Sequence, residues 1–212
     1  HARGMALLVK PHLAYWGSPF SWRGEIRYEK AEQRAAFFES YRAWITAVAA
    51  ATQGADGFVV GTELEGTIDE RDPTAWLEII AAVRAVTPAK LTFAANWNSY
   101  GDVPFWGALD AIGVQAYFPL SEADEPGDAE LRAGWTRTLP DLRALSERTG
   151  KPVVFTELGY DATGTAALRP WEGSGSHHRR KPEPTREALE LQARCLRVAL
   201  DVLQEERAWL RG

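Results

Sequence analysis

The chain reads as an α/β protein built on a parallel sheet, and two observations carry that reading. Short, continuously apolar runs alternate with longer amphipathic stretches, the pattern of strands that helices bury on both faces. Each run also ends in polar or aromatic residues. In sheets flanked by helices, the C-terminal strand ends are where ligands bind.

Taken in order, Met5 to Val9 is strand-like and leads into a loop rich in Trp, Gly and Pro. Glu29 to Thr52 predicts a long helix, with Phe37, Phe38, Tyr41, Trp44, Ile45 and Val48 at helical spacing. Gly57 to Gly61 is the next strand, and Asp72-Pro73 opens a helix to about Val86 with Pro73 at its first position. Leu91 to Ala95 is a strand, Pro104 to Leu109 a short helix or turn, and Ala111 to Ala116 a further strand. Ala129 to Thr149 predicts a helix stopped by Gly150, and Pro152 to Thr156 a strand. A loop rich in Gly, Ser, Pro and basic residues covers Gly164 to Pro184. Thr185 then caps a helix reaching Leu210, with Glu187 in its first turn.

Strict alternation leaves a doubly wound sheet or a (β/α)8 barrel. No G-x-G-x-x-G follows any strand, so a dinucleotide-binding sheet is poorly supported. Every strand end contributes: Lys10 and His12, Glu63, Asn96 and Trp97, Tyr117, and Glu157. Sites assembled from many strand ends are the barrel habit. The expectation is therefore a (β/α)8 TIM barrel, incomplete at about five β/α units, with residues 1–212 as one partial domain. A complete barrel takes about 250 residues, so the chain reads as a fragment, and a closing strand after Leu210 is expected to be absent. Two unpaired sheet edges would leave such a piece poorly stable and inactive by itself.

Composition narrows the function. The 212 residues are 45% hydrophobic and 25% charged, an ordinary globular balance. A net charge of -5 argues against a general nucleic-acid surface, and no apolar run approaches the roughly 18 residues of a membrane span. Cys195 is the single cysteine, which excludes an internal disulfide, and its apolar helical setting reads as a buried small hydrophobe. Nine tryptophans, several outside the periodic segments, fit a carbohydrate cleft. No targeting segment is visible, which leaves localisation open.

Two segments are nearly the same word: Val59-Val60-Gly61-Thr62-Glu63-Leu64 and Val153-Val154-Phe155-Thr156-Glu157-Leu158. Each places a glutamate at a strand end in the same local frame. Retaining glycoside hydrolysis needs two carboxyl groups about 5–5.5 Å apart, one to attack the anomeric carbon and one to protonate the leaving oxygen. The two glutamates lie on the second and fifth strands, three strands apart, and in a closed barrel such strands face each other across the mouth.

Lys10-Pro11-His12, Trp22-Arg23-Gly24, Gly61-Thr62-Glu63-Leu64, Ala94-Ala95-Asn96-Trp97, Gly113 through Leu120, Phe155 through Tyr160 and Arg169-Pro170-Trp171 together resemble glycoside hydrolase family 113. The resemblance spans nearly the whole chain in order. It implies a retaining β-mannanase-like barrel whose third to seventh strands are present, acting on β-1,4-mannan or manno-oligosaccharides without a cofactor. It further implies Glu63 as acid/base and Glu157 as nucleophile. The wider clan commonly has Asn just before the acid/base; here Thr62 stands there.

Around this pair, Tyr117 is placed to hydrogen-bond the nucleophile and hold it ionised. Asn96 offers sugar hydroxyls both a donor and an acceptor, and the Trp97 indole offers a face for a pyranose ring. Lys10 and His12 alternate with Pro11 and point toward the mouth in this reading. Trp22 and Arg23 lie in the loop after the first strand, where binding residues gather, and Trp16 shares that loop with less support. Trp171 is read as the wall of a subsite. Glu65 is a rival acid/base and otherwise a loop residue or subsite contact. His177, His178, Arg179, Arg180 and Lys181 read as a solvated basic loop, because adjacent histidines without Cys or acidic partners are a weak metal signal. The competing functions are a non-catalytic carbohydrate-binding barrel or inactive truncated paralogue, and a metal-dependent lyase. Both glutamates weigh against the first, and the lack of a ligand cluster weighs against the second.

Overall fold

A computed structural model describes residues 4–172 and 183–212. The chain divides into two compact units, His1–Val114 and Gln115–Gly212.

In the first unit, β1 (Leu8–Val9), β2 (Gly57–Thr62), β3 (Lys90–Asn96) and the start of β4 (Ile112–Ala116) follow one another in sheet order. β1 pairs β2 and β2 pairs β3 in parallel, with Leu8 opposite Gly57 and Phe58 opposite Leu91. β2, β3 and β4 are buried almost throughout, as their largely apolar sequences require, with Thr62, Thr92 and Gln115 buried among the apolar residues. β1 departs from this expectation. Only two of the five apolar residues from Met5 form a strand, and Met5, Leu7 and Leu8 are exposed. The chain is nevertheless tied beyond the strand itself. Leu7 accepts the Asp56 and Gly57 N–H groups, and its own N–H donates to Asp56 Oδ2 at 2.7 Å.

Two helices cover this part of the sheet. α1 (Ala31–Ala51) buries Phe38, Tyr41, Ile45 and Ala49, a spacing of three or four residues that keeps one face inward. α2 (Thr74–Arg84) buries Trp76, Ile79, Ile80 and Val83. Pro73 occupies the position before the first helical turn rather than within it, and Asp72 Oδ1 accepts the Thr74 N–H at 3.2 Å. Between β3 and β4 the chain makes 3₁₀ turns at Tyr100–Asp102 and Trp106–Ala108. The hub of the core is aromatic: Trp76 meets Phe38, Tyr41 and Phe93 edge-on and stacks on Phe105, with ring centroids 5.1 to 5.9 Å apart. Burial pushes the Tyr41 hydroxyl upward in pKa, and it donates instead to the Val60 carbonyl at 3.0 Å.

In the second unit the end of β4 precedes β5 (Val153–Leu158) in the sheet order, with α3 (Asp128–Thr149) and α4 (Arg186–Glu205). Gly150 ends α3 in the left-handed region at φ 66°, the conformation that favours glycine at a helix end. Thr185 Oγ1 caps α4 by accepting the Ala188 N–H at 3.2 Å. α4 stops at Glu205, five residues before the expected Leu210. The reason is pairing: Leu210 bridges Val153 in parallel, Val153 N–H donates to Trp209, Arg211 N–H to Val153, and Phe155 N–H to Gly212. Residues 209–212 thus lie along β5 through a parallel bridge, where the sequence pattern predicts the last turns of a helix. β5 is less buried than β2 to β4, with only Val153 fully enclosed. The expected basic cluster, His177 to Lys181, lies outside the described residues.

Trp76 is 1% exposed, and its indole N–H has no hydrogen-bond partner. Trp76→Ala should cost about 3–5 kcal/mol in urea unfolding followed by near-UV circular dichroism. Trp76→Phe should cost clearly less, since it keeps an aromatic ring and removes an unsatisfied donor. Equal losses for the two variants would contradict the aromatic hub.

Candidate active site

The site residues are the ones that follow the buried strands. Glu63 comes directly after β2, and its backbone has φ 52°, the only non-glycine positive φ among the described residues. That left-handed turn costs on the order of 1 kcal/mol and swings the chain out of the strand into a 3₁₀ turn at Glu65–Thr67. Its backbone and its side chain are both held. The Glu63 N–H donates to the Ala94 carbonyl at 3.0 Å, and Glu63 Oε2 accepts Arg23 Nη1 at 2.5 Å. Both side chains are mostly shielded, 16% and 19% exposed, so solvent screens the pair less than it would a surface bridge. Arg23 lies in the 3₁₀ turn Arg23–Glu25 beside Trp22, which is half-buried.

Thr62 donates its hydroxyl to the Pro11 carbonyl at 3.0 Å. It ties the strand end to the segment carrying Lys10 and His12. Lys10 is half-buried and His12 exposed.

Glu65 has a role that sequence reasoning left open. Its Oε1 accepts the Asn96 N–H at 3.2 Å and the Ser99 hydroxyl at 3.1 Å. The carboxylate therefore braces the turn that presents Asn96, the last residue of β3, and Trp97, the next. Its other oxygen is buried without a hydrogen-bond partner. Burial pushes its carboxyl above the usual carboxylate range, against the lowering effect of its own N–H, the Asn96 N–H and Ser99. The sequence marked Glu65 only by its nearness to Glu63. Ser99, which carries no motif, was not found.

In the second unit, Tyr117 follows β4 directly, and its hydroxyl donates to Glu157 Oε2 at 2.7 Å. Both residues are half-buried. Glu157 is the fifth residue of β5. Gln192 of α4 donates to the Tyr160 carbonyl at 2.6 Å, and the Asp161 N–H donates to Pro170, which ties the loop after β5 at two points. Trp171 stands on that loop, 39% exposed.

Other readings are settled by burial. Trp16 is 75% exposed, whereas Trp76, Trp106 and Trp135 are core residues, so the tryptophan count is not a count of sugar platforms. Cys195 is enclosed, and burial raises its thiol pKa to about 11. Among the described residues no group of three or more His, Cys, Asp or Glu is placed to hold a metal ion. No helix among them is long and apolar enough to cross a membrane.

Burial gives Glu65 a testable pH signature. Its folded-state pKa lies above the unfolded value of about 4.3, so the folded state holds that proton more tightly. The associated stability is present at low pH and is lost as pH rises through the folded value. Glu65→Gln keeps an acceptor for Asn96 and Ser99 and does not titrate. Its unfolding free energy relative to the parent protein should therefore improve from about pH 4 to about pH 7. A difference that stays flat or falls over that range would contradict the buried setting.

Comparison with known proteins bears on the family and the fold. The model of Glycoside Hydrolase Family 113 matches residues 1–212. A β-1,4-mannanase of that family, solved as a complex, superposes with a TM-score of 0.77 at 24% identity, covering 100% of this chain and 62% of its own. The family's β-mannanase from Alicyclobacillus acidocaldarius, solved in complex with ManMIm, gives 0.77 at 28% identity, covering 95% and 59%. A β-glucuronidase from Ruminococcus gnavus shares the fold at a TM-score of 0.57 and 18% identity, covering 79% and 27%. No curated protein sequence matches the chain significantly. The chain thus spans about three-fifths of the length of the mannanases it resembles. Its repeated β/α units are those of an incomplete TIM barrel, as the strand alternation predicts, and the chain belongs to glycoside hydrolase family 113.

Proposed function

We propose that residues 1–212 form part of the catalytic barrel of a retaining β-glycosidase that cleaves β-1,4-linked mannan or manno-oligosaccharides. The observation that carries this reading is the placement of the two Thr-Glu-Leu words. One puts Glu63 just past β2 and the other puts Glu157 near the end of β5, in a chain whose whole length matches one glycoside hydrolase family. The mannan assignment is supported by the β-mannanases among the similar structures.

In this mechanism Glu157 attacks the anomeric carbon through an oxocarbenium-like transition state. The Tyr117 hydroxyl stabilises its charged form and fixes its orientation before attack. Glu63 gives its proton to the departing glycosidic oxygen, so the leaving sugar departs as a neutral alcohol. Glu63, now ionised, takes a proton from water, and that water displaces Glu157 from the sugar. The second inversion restores the starting configuration, and both carboxyl groups return to their first states.

Asn96, Trp97, Trp22, Lys10, His12 and Trp171 supply the sugar contacts. The aromatic faces stack on pyranose rings and the polar groups read hydroxyls. No step calls for a metal or an organic cofactor.

In the complete protein, Glu157→Gln should abolish turnover of an aryl β-mannoside, and Glu63→Gln should lower it about 10²–10⁴-fold for a poor leaving group. Near-parental activity in Glu157→Gln would end the assignment. Tyr117→Phe removes one hydrogen bond to a carboxylate, worth about 1.5–3 kcal/mol, and should lower kcat/KM about 10- to 100-fold. Proton NMR of the first-formed sugar should show the β-anomer; an α-anomer would replace double displacement with inversion.

A further inference from the structure

We infer that Arg23 is a positioning residue for Glu63, and that through it the loop after β1 sets the proton-transfer geometry. The inference rests on Glu63 being the acid/base.

Arg23 is held at three points. Nη1 donates to Glu63 Oε2 at 2.5 Å, Nε donates to the Leu13 carbonyl at 3.1 Å, and the guanidinium lies 5.5 Å from the centre of the Tyr15 ring. The planar fork can point one N–H at a carboxylate and another at a carbonyl at once, which an ammonium cannot do with fixed geometry. The backbone beneath is locked as well. A Cβ on Gly66 would lie 2.7 Å from the Gly24 and Ile26 carbonyl oxygens, so the turn after Glu63 sits directly against the turn that carries Arg23. The Trp22 indole lies across Gly24, whose added Cβ would fall 2.1 Å from the ring. The Trp22-Arg23-Gly24 turn and the Glu63-to-Gly66 turn are therefore one interlocked unit. The carboxyl is restrained from its backbone, through Ala94, and from its tip, through Arg23.

A carboxyl that protonates a leaving oxygen matters only when the leaving group needs the proton. Misplacing it should cost rate on poor leaving groups and spare good ones, a signature that general loosening of the fold does not give. The test is kcat/KM, measured in the complete protein, for a series of aryl β-mannosides from phenyl to 2,4-dinitrophenyl. Arg23→Met should lose about 10- to 100-fold on the phenyl substrate and change less than about threefold on the dinitrophenyl one. Arg23→Lys should fall between Arg23→Met and the parent protein. Gly66→Ala, which must part the two turns, should show the same leaving-group dependence. If Arg23→Met affects all leaving groups equally, or none, the inference is overturned. Should Arg23→Met fail to fold, Arg23→Lys and Gly66→Ala decide by the same criterion. Glu63→Ala separates the two claims. With the leaving-group signature in Glu63→Ala but not in the Arg23 variants, the positioning role alone falls. Without it in Glu63→Ala, the acid/base assignment falls and the Arg23 role falls with it.

Discussion

In a buried parallel strand every backbone N–H and C=O is committed to its neighbours, and both faces are covered. Reactive side chains on such a strand can reach a ligand only at its end. β2, β3 and β4 meet this condition nearly throughout, and the residues proposed for chemistry sit at or near the ends of strands, while Trp22 and Trp171 stand on the loops beyond them. Glu63, Asn96 and Tyr117 each occupy the last position of a strand or the first one after it. The packed layer beneath, centred on Trp76 in the first unit, makes those ends rigid enough to hold a carboxyl in place.

That constraint explains why the strand sequences were legible. Continuous β-branched and apolar runs admit few alternatives, and the core strands stand within a residue or two of where their patterns put them. The alternation of periods also located α1, α2 and α3, and Gly150 marked the end of α3 by the left-handed backbone it alone tolerates easily. The failures came where tertiary pairing outweighed local pattern. Residues after Glu205 keep a helix-compatible composition, yet Leu210 and Arg211 find partners along β5 and leave the helix. At the other edge, Met5 and Leu7 are apolar enough for a buried strand but lie exposed.

The candidate site was legible in its carboxylates and opaque in its supports. A repeated word betrays Glu63 and Glu157, and a strand end betrays Tyr117, because periodicity fixes where those residues fall. Nothing in one dimension shows that Glu65 bends back to hold the Asn96 N–H and Ser99, or that Thr62 spends its hydroxyl on Pro11. These contacts join residues about 30 to 50 positions apart. Their partners are backbone groups or unmarked serines, which carry no sequence signature. The same holds for the carbonyl of Leu13 that steadies Arg23.

Double displacement requires that Glu157 form a covalent bond to the sugar. The most direct measurement is incubation with an activated 2-deoxy-2-fluoro-β-mannoside, followed by proteolysis and peptide mass spectrometry. In the complete protein, double displacement at Glu157 gives time-dependent inactivation and one fluorosugar on the peptide Val153 to Tyr160, attached at Glu157. An adduct on a different residue, or sustained hydrolysis of the natural linkage with no covalent species formed, would contradict it.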